Sequence, residues 1–74
     1  MKKYYYGDYT FESGIEIPIV EIWNYTEGNY ELEEIIPLAE GFEEESFPEI
    51  LKPNQDGYSS VEISYAVYRT LIGK

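Results

Sequence analysis

Ile15-Glu16-Ile17-Pro18-Ile19-Val20-Glu21-Ile22-Trp23-Asn24-Tyr25 is the stretch that decides the fold. From Ile15 to Ile19 the apolar residues recur with a period of two, which marks a half-buried strand. Pro18 has no N–H to give a ladder, so an edge or a bulge is expected there. The apolar phase then slips. Ile15, Ile17 and Ile19 share one face, and Val20 and Ile22 take over. A β-bulge near Pro18 accounts for the slip. Trp23 and Tyr25 carry the strand on.

Turns flank this strand on both sides. Glu12-Ser13-Gly14 precedes it, with a glycine available for positive φ. Tyr4 to Phe11, before that turn, is rich in strand-forming aromatics. Thr26-Glu27-Gly28-Asn29 follows as a second turn, Tyr30 to Ile36 returns, and Pro37 ends the run. Residues 3–36 therefore read as a three-stranded antiparallel meander. Residues 37–58 are irregular, broken by Pro37, Gly41, Pro48, Pro53 and Gly57. Phe42, Phe47, Ile50 and Leu51 are spaced to pin a short helical turn or two onto the sheet.

Residues 59–74 admit two readings. As a helix, Ser59 is the N-cap with Glu62 three residues on, a capping box. Val61, Tyr65, Tyr68 and Ile72 then form one apolar stripe. Arg69 and Lys74 lie near the negative helix end, and Gly73 closes it. As a strand, Val61, Ile63, Tyr65 and Val67 alternate with Glu62, Ser64 and Ala66. The cap, the closing glycine and the length favour the helix. The expected fold is α+β: a small three-stranded antiparallel meander, a short irregular or helical middle segment, and a C-terminal helix, with a fourth strand as the alternative.

Seventy-four residues make one small domain, residues 1–74, with a thin core. There is no cysteine and no histidine, so disulfides, thiolate metal sites and the usual general base are all missing. Aromatic content of 18% argues against the disorder that a net charge of −10 would otherwise suggest. Met1-Lys2-Lys3 is not followed by an apolar h-region, and no apolar run is long enough to span a bilayer. The Asn24-Tyr25-Thr26 sequon is read as chance. The expectation is a cytoplasmic protein that does not bind membranes.

The charge is unevenly placed. Between Tyr4 and Leu51, 48 residues hold thirteen acids and neither lysine nor arginine. Ordinary surfaces mix the two signs. Direct nucleic-acid binding is disfavoured, because backbone affinity needs cations. Residues 52–62 approach a calcium loop around Asn54, Asp56, Gly57 and Ser60. Lys52 occupies its first position and Ile63 its bidentate-acid position, so it reads as a polar turn. The serines have no histidine beside them, there is no phosphate-binding glycine loop, and the chain is short for a carboxylate cleft. No enzyme activity and no cofactor are expected.

What remains is the acids themselves, either as a solvated face or as a surrogate for phosphates. Carboxylates at i and i+2 on a strand, as at Glu31 and Glu33, stand about 6.7 Å apart. One DNA strand rises roughly 3.4 Å per phosphate, so the row matches alternate phosphates. Glu16, Glu21, Glu34, Glu43, Glu44 and Glu45 extend the candidate partner-binding set, with Tyr5 and Tyr9 as aromatic anchors. In charge, size and acidic sheet the chain resembles the DNA mimics of phages and mobile elements: anti-CRISPR proteins, anti-restriction proteins and uracil-DNA glycosylase inhibitors. Some glycosylase inhibitors carry a Glu-Ser pair at the edge of their acidic strand. Glu12-Ser13 stands here ahead of Ile15, separated from it by Gly14, and carries no role over. The resemblance implies an inhibitor whose partner is a protein with a basic nucleic-acid-binding groove. The competing expectation is a protein-interaction subunit or homodimer that docks through Tyr4–Phe11, with the acids serving solubility.

Overall fold

The computed structural model describes residues 1–73. One antiparallel sheet is built from β1 (Lys2–Thr10), β2 (Glu16–Thr26), β3 (Asn29–Pro37) and the short β4 (Val61–Ile63), followed by the helix α1 (Tyr65–Ile72). The strand order is β3-β2-β1-β4. The three-stranded meander is as expected from the alternation and the two turns. The fourth strand and the helix are both present in the C-terminal segment, one after the other.

The turns follow from local chemistry. Between β2 and β3 only Glu27 and Gly28 intervene, both at positive φ (48° and 86°). Two consecutive left-handed residues twist a hairpin in the sense its strands need. Between β1 and β2, Phe11 N–H donates to the Ile15 carbonyl (2.8 Å) and Gly14 N–H to the Phe11 carbonyl (2.9 Å).

β2 is the spine of the core. Ile17, Ile19, Val20, Ile22 and Trp23 are all buried on it, and Tyr5 of β1 joins them. Each such side chain contributes roughly 1.5–3 kcal/mol when fully buried. The slip of apolar phase has a different cause from the one expected. No bulge occurs at Pro18, which pairs in register with Asp8. The register shift lies between Ile22 and Trp23, with Glu33 the extra residue on β3. Val20 and Ile22 are apolar because both faces of β2 are covered, one by α1 and the other by the later part of the irregular segment, through Phe47, Tyr58 and Ser60. Pro18 is tolerated because it lies beyond the last β2–β3 pair, Ile19 with Pro37, and its carbonyl accepts from Leu38 N–H (2.9 Å).

The helix starts later than expected. Ser64, not Ser59, is the N-cap, and its hydroxyl accepts from Val67 N–H (3.1 Å). Residues 61–63 pair instead with Tyr6, Tyr5 and Tyr4, extending the sheet along β1. Gly73 closes the helix in the left-handed conformation (φ 75°), with its N–H on the Arg69 and Thr70 carbonyls. The expected role of Lys74 lies outside the described residues. Tyr65, Tyr68 and Ile72 face the sheet, where Tyr68 stacks on Tyr4 with centroids 4.4 Å apart.

Residues 38–60 contain turns and no helix, so the helical turns expected there do not form. The backbone hydrogen bonds within the segment are single turns: Glu45 N–H to the Phe42 carbonyl, Gln55 N–H to Lys52, and Tyr58 N–H to Gln55. The expected pinning by phenylalanines does occur. Phe42 stacks on Phe11 (5.5 Å), and Phe47 meets Tyr9 edge-on (5.1 Å). No helix among the described residues is long and apolar enough to cross a membrane.

Candidate functional site

The acids fall into two populations. Glu21 is alone in the first. It shares a sheet face with Ile17, Ile19 and Trp23 and is 3% exposed. An ionised carboxylate taken out of water costs several kcal/mol unless its lone pairs are filled. Three donors fill them. Trp23 Nε1–H donates to Oε1 at 2.7 Å, the Tyr58 hydroxyl to the same oxygen at 2.5 Å, and the Ser60 hydroxyl to Oε2 at 3.4 Å. Two of these donors come from the far end of the irregular segment. Gly7 makes the approach of Ser60 feasible, because a Cβ there would stand 1.9 Å from Ser60 Oγ. Burial, and next the hydrogen bond to Glu21, push the Tyr58 hydroxyl above its ordinary pKa. Tyr5, opposite Glu21 on β1, is pushed up mainly by burial, then by its hydrogen bond with Tyr30. Glu21 and Tyr5 therefore belong to the interior.

Glu21 forms the floor of a cavity of about 210 Å³, with Asp8, Glu49, Tyr58 and Ser60 in its walls. Glu49 adopts positive φ (64°), and the preceding Pro48 carbonyl accepts from the Tyr9 hydroxyl at 2.5 Å. Tyr9 is thus half-buried and tied to the irregular segment. Among the described residues no group of three or more acids is placed to hold a metal ion.

The second population is exposed. Glu31, Glu33 and Glu34 lie on β3, the edge of the sheet. Glu31 pairs with Asn24 and Glu34 with Ile22, so both face the helix side. The bulge brings Glu33 to that side as well, where it meets Lys2 Nζ at 3.3 Å. This pair lies on the surface, so salt screens it. Its hydrogen bond raises the Lys2 pKa. A groove of about 570 Å³ runs between β3 and α1, with Ile22, Ile36 and Ile72 beneath, Tyr4 and Tyr68 along one wall, and Glu33 and Glu34 at the lip. Glu40 and Glu43 flank a neighbouring hollow over the same Ile36 and Ile72.

The run Glu43-Glu44-Glu45 does not continue the β3 row as one line. Glu43 joins the helix-side hollow, whereas Glu45 sits with Glu12 and Glu49 near Tyr9 and Phe11. Glu44 is exposed between them. Glu16 is exposed and accepts from the Thr10 hydroxyl (3.0 Å). What the structure assembles is an acidic margin: Glu33 and Glu34 at the groove, where Lys2 and Arg69 also lie, Glu40 and Glu43 at the adjoining hollow, and Glu31 on the same side of β3.

Sequence reasoning missed the roles of Tyr58 and Ser60, which lie 37 and 39 residues from Glu21. It also put Glu21 on the surface. The available signal was the same-face spacing of Ile17, Ile19, Glu21 and Trp23 once no phase slip is assumed. Comparison with protein-family models, curated proteins and solved structures finds no match to this chain.

Proposed function

We propose that this protein is an acidic binding module that occupies the basic nucleic-acid groove of a DNA- or RNA-binding protein, such as a bacterial defence or repair enzyme, and inhibits it by phosphate mimicry. The supporting observation is the margin of exposed acids on and after β3, within a run of 48 residues that holds no lysine or arginine. Carboxylates accept Arg guanidinium groups in two parallel hydrogen bonds, as phosphates do. A negative field steers a basic partner in and weakens as salt rises. Glu21 takes no part, because its oxygens are engaged inside.

The test is capture on immobilised protein from a nuclease-treated bacterial lysate, at low and high salt, followed by elution with duplex DNA. The reading expects a nucleic-acid-binding protein that is held at low salt and displaced by duplex. A partner that survives high salt and ignores duplex contradicts it. That outcome would favour the second reading, a protein-interaction or oligomerising accessory subunit. The observation on its side is apolar: Val67 of α1 is 46% exposed, and Leu71, at the rim of the hollow over Ile36, is 38% exposed. β1, the strand expected to dock, lies between β2 and β4.

A further inference from the structure

The sheet stops at β3, and no strand among the described residues lies beyond it. An open edge of nine residues is a template for another strand. Charge and bulges commonly blunt such edges, and β3 has both. The distribution of its side chains is more specific than blunting requires. Glu31, Glu33 and Glu34 lie on the helix side. Tyr30, Leu32 and Ile35 oppose Tyr25, Trp23 and Glu21 on the other side, where Leu32 is 41% exposed. A strand laid beside β3 would meet acids on one face and apolar groups on the other.

We propose that β3 is a strand-addition site for an extended basic segment of the partner, in which Lys or Arg alternates with apolar residues. This rests on the acidic-binding reading above and names its surface. Main-chain hydrogen bonds to the open edge supply affinity, and the alternation supplies the choice. Opposite charges directly across a ladder stabilise it, and like charges destabilise it. The same rule disfavours a second copy as the occupant. Two β3 strands paired antiparallel about Glu31, with their faces matched, set the two Glu31 carboxylates opposite each other.

The test uses the full chain, isotopically labelled, and amide hydrogen exchange read by NMR. Three synthetic eight-residue peptides serve as probes: alternating Lys-Val, the same composition as four Lys then four Val, and alternating Glu-Val. Alternating Lys-Val is expected to slow exchange at the β3 amides that face away from β2 by about tenfold or more, and the other two to leave them unchanged. The double variant Glu31→Lys with Glu34→Lys, at two exposed positions, is expected to transfer the protection to Glu-Val. No protection by alternating Lys-Val overturns the proposal. Equal protection by the blocked peptide does so too. Binding of both Lys peptides without edge protection also overturns strand addition, yet leaves the acidic-binding reading standing. That reading fails separately, if captured partners ignore duplex DNA.

Discussion

The two covers of this sheet are held by different physics. On one face lies α1, an element that carries its own instructions: a Ser64 cap, a Gly73 stop and an apolar stripe of Tyr65, Tyr68 and Ile72. None of its residues is fully buried, and its grip on the sheet is ring contact, Tyr68 on Tyr4. On the other face lies a segment with no regular structure. It is fastened at one end by Phe42 and Phe47 and at the other by Tyr58 and Ser60 on the buried Glu21. A helix can be spelled locally. An irregular cover needs a fixed point supplied by the sheet, and here that point is a carboxylate.

If this contrast is right, the largest effect belongs to Glu21→Ala. It strips the acceptor from three donors, and the expected loss is roughly 3 kcal/mol, read from the urea midpoint. A domain of this length holds only about 4–11 kcal/mol in all. Gly7→Ala comes next, at about 2 kcal/mol, because the new Cβ displaces Ser60. Tyr68→Ala on the helix side removes a stacked ring and costs about 1 kcal/mol beyond the lost burial. A larger loss for Tyr68→Ala than for Glu21→Ala would break the comparison.

The smallest effect is alkaline. The Tyr58 hydroxyl is raised in the folded state above its ordinary value of 10.0 by burial and then by Glu21. A raised phenol contributes its stability in full below the unfolded pKa and loses it as pH climbs toward the folded one. Stability should therefore hold up to about pH 10 and decline above it. Urea midpoints taken across that window should decline less steeply for Tyr58→Phe. An unchanged slope would detach Tyr58 from the Glu21 cluster.

Much of the frame was legible in the chain because it is local. Glu27 and Gly28 announce the hairpin, the β2 alternation announces its strand, and Gly73 closes the helix. The helix start was misread because Ser59 and Ser64 are both competent caps. What separates them is the edge of β1, some 55 residues away in sequence, which draws 61–63 into the sheet. The buried acid was misread for a similar reason. Alternation says which residues share a face of β2, but covering both faces makes apolar residues occur on each. The spacing with Ile17, Ile19 and Trp23 hints at the inside, and Tyr58 and Ser60, arriving from afar, supply the donors that let an acid sit there. On β3, Glu31, Glu33 and Glu34 were legible as an acidic row. The bulge that turns Glu33 toward Lys2 was not, since it arises from pairing across two strands.

Glu21 holds the fold, and under the proposed function the β3 acids meet the partner. One paired measurement addresses both, the urea midpoint together with the amount of duplex-displaceable protein captured per folded molecule. It is made on Glu21→Gln and on the triple change Glu31→Gln, Glu33→Gln, Glu34→Gln. The expected result is a lowered midpoint with capture retained for the first, and capture lost with the midpoint unchanged or raised for the second. Full capture by the triple variant, or loss of capture by folded Glu21→Gln, would contradict it.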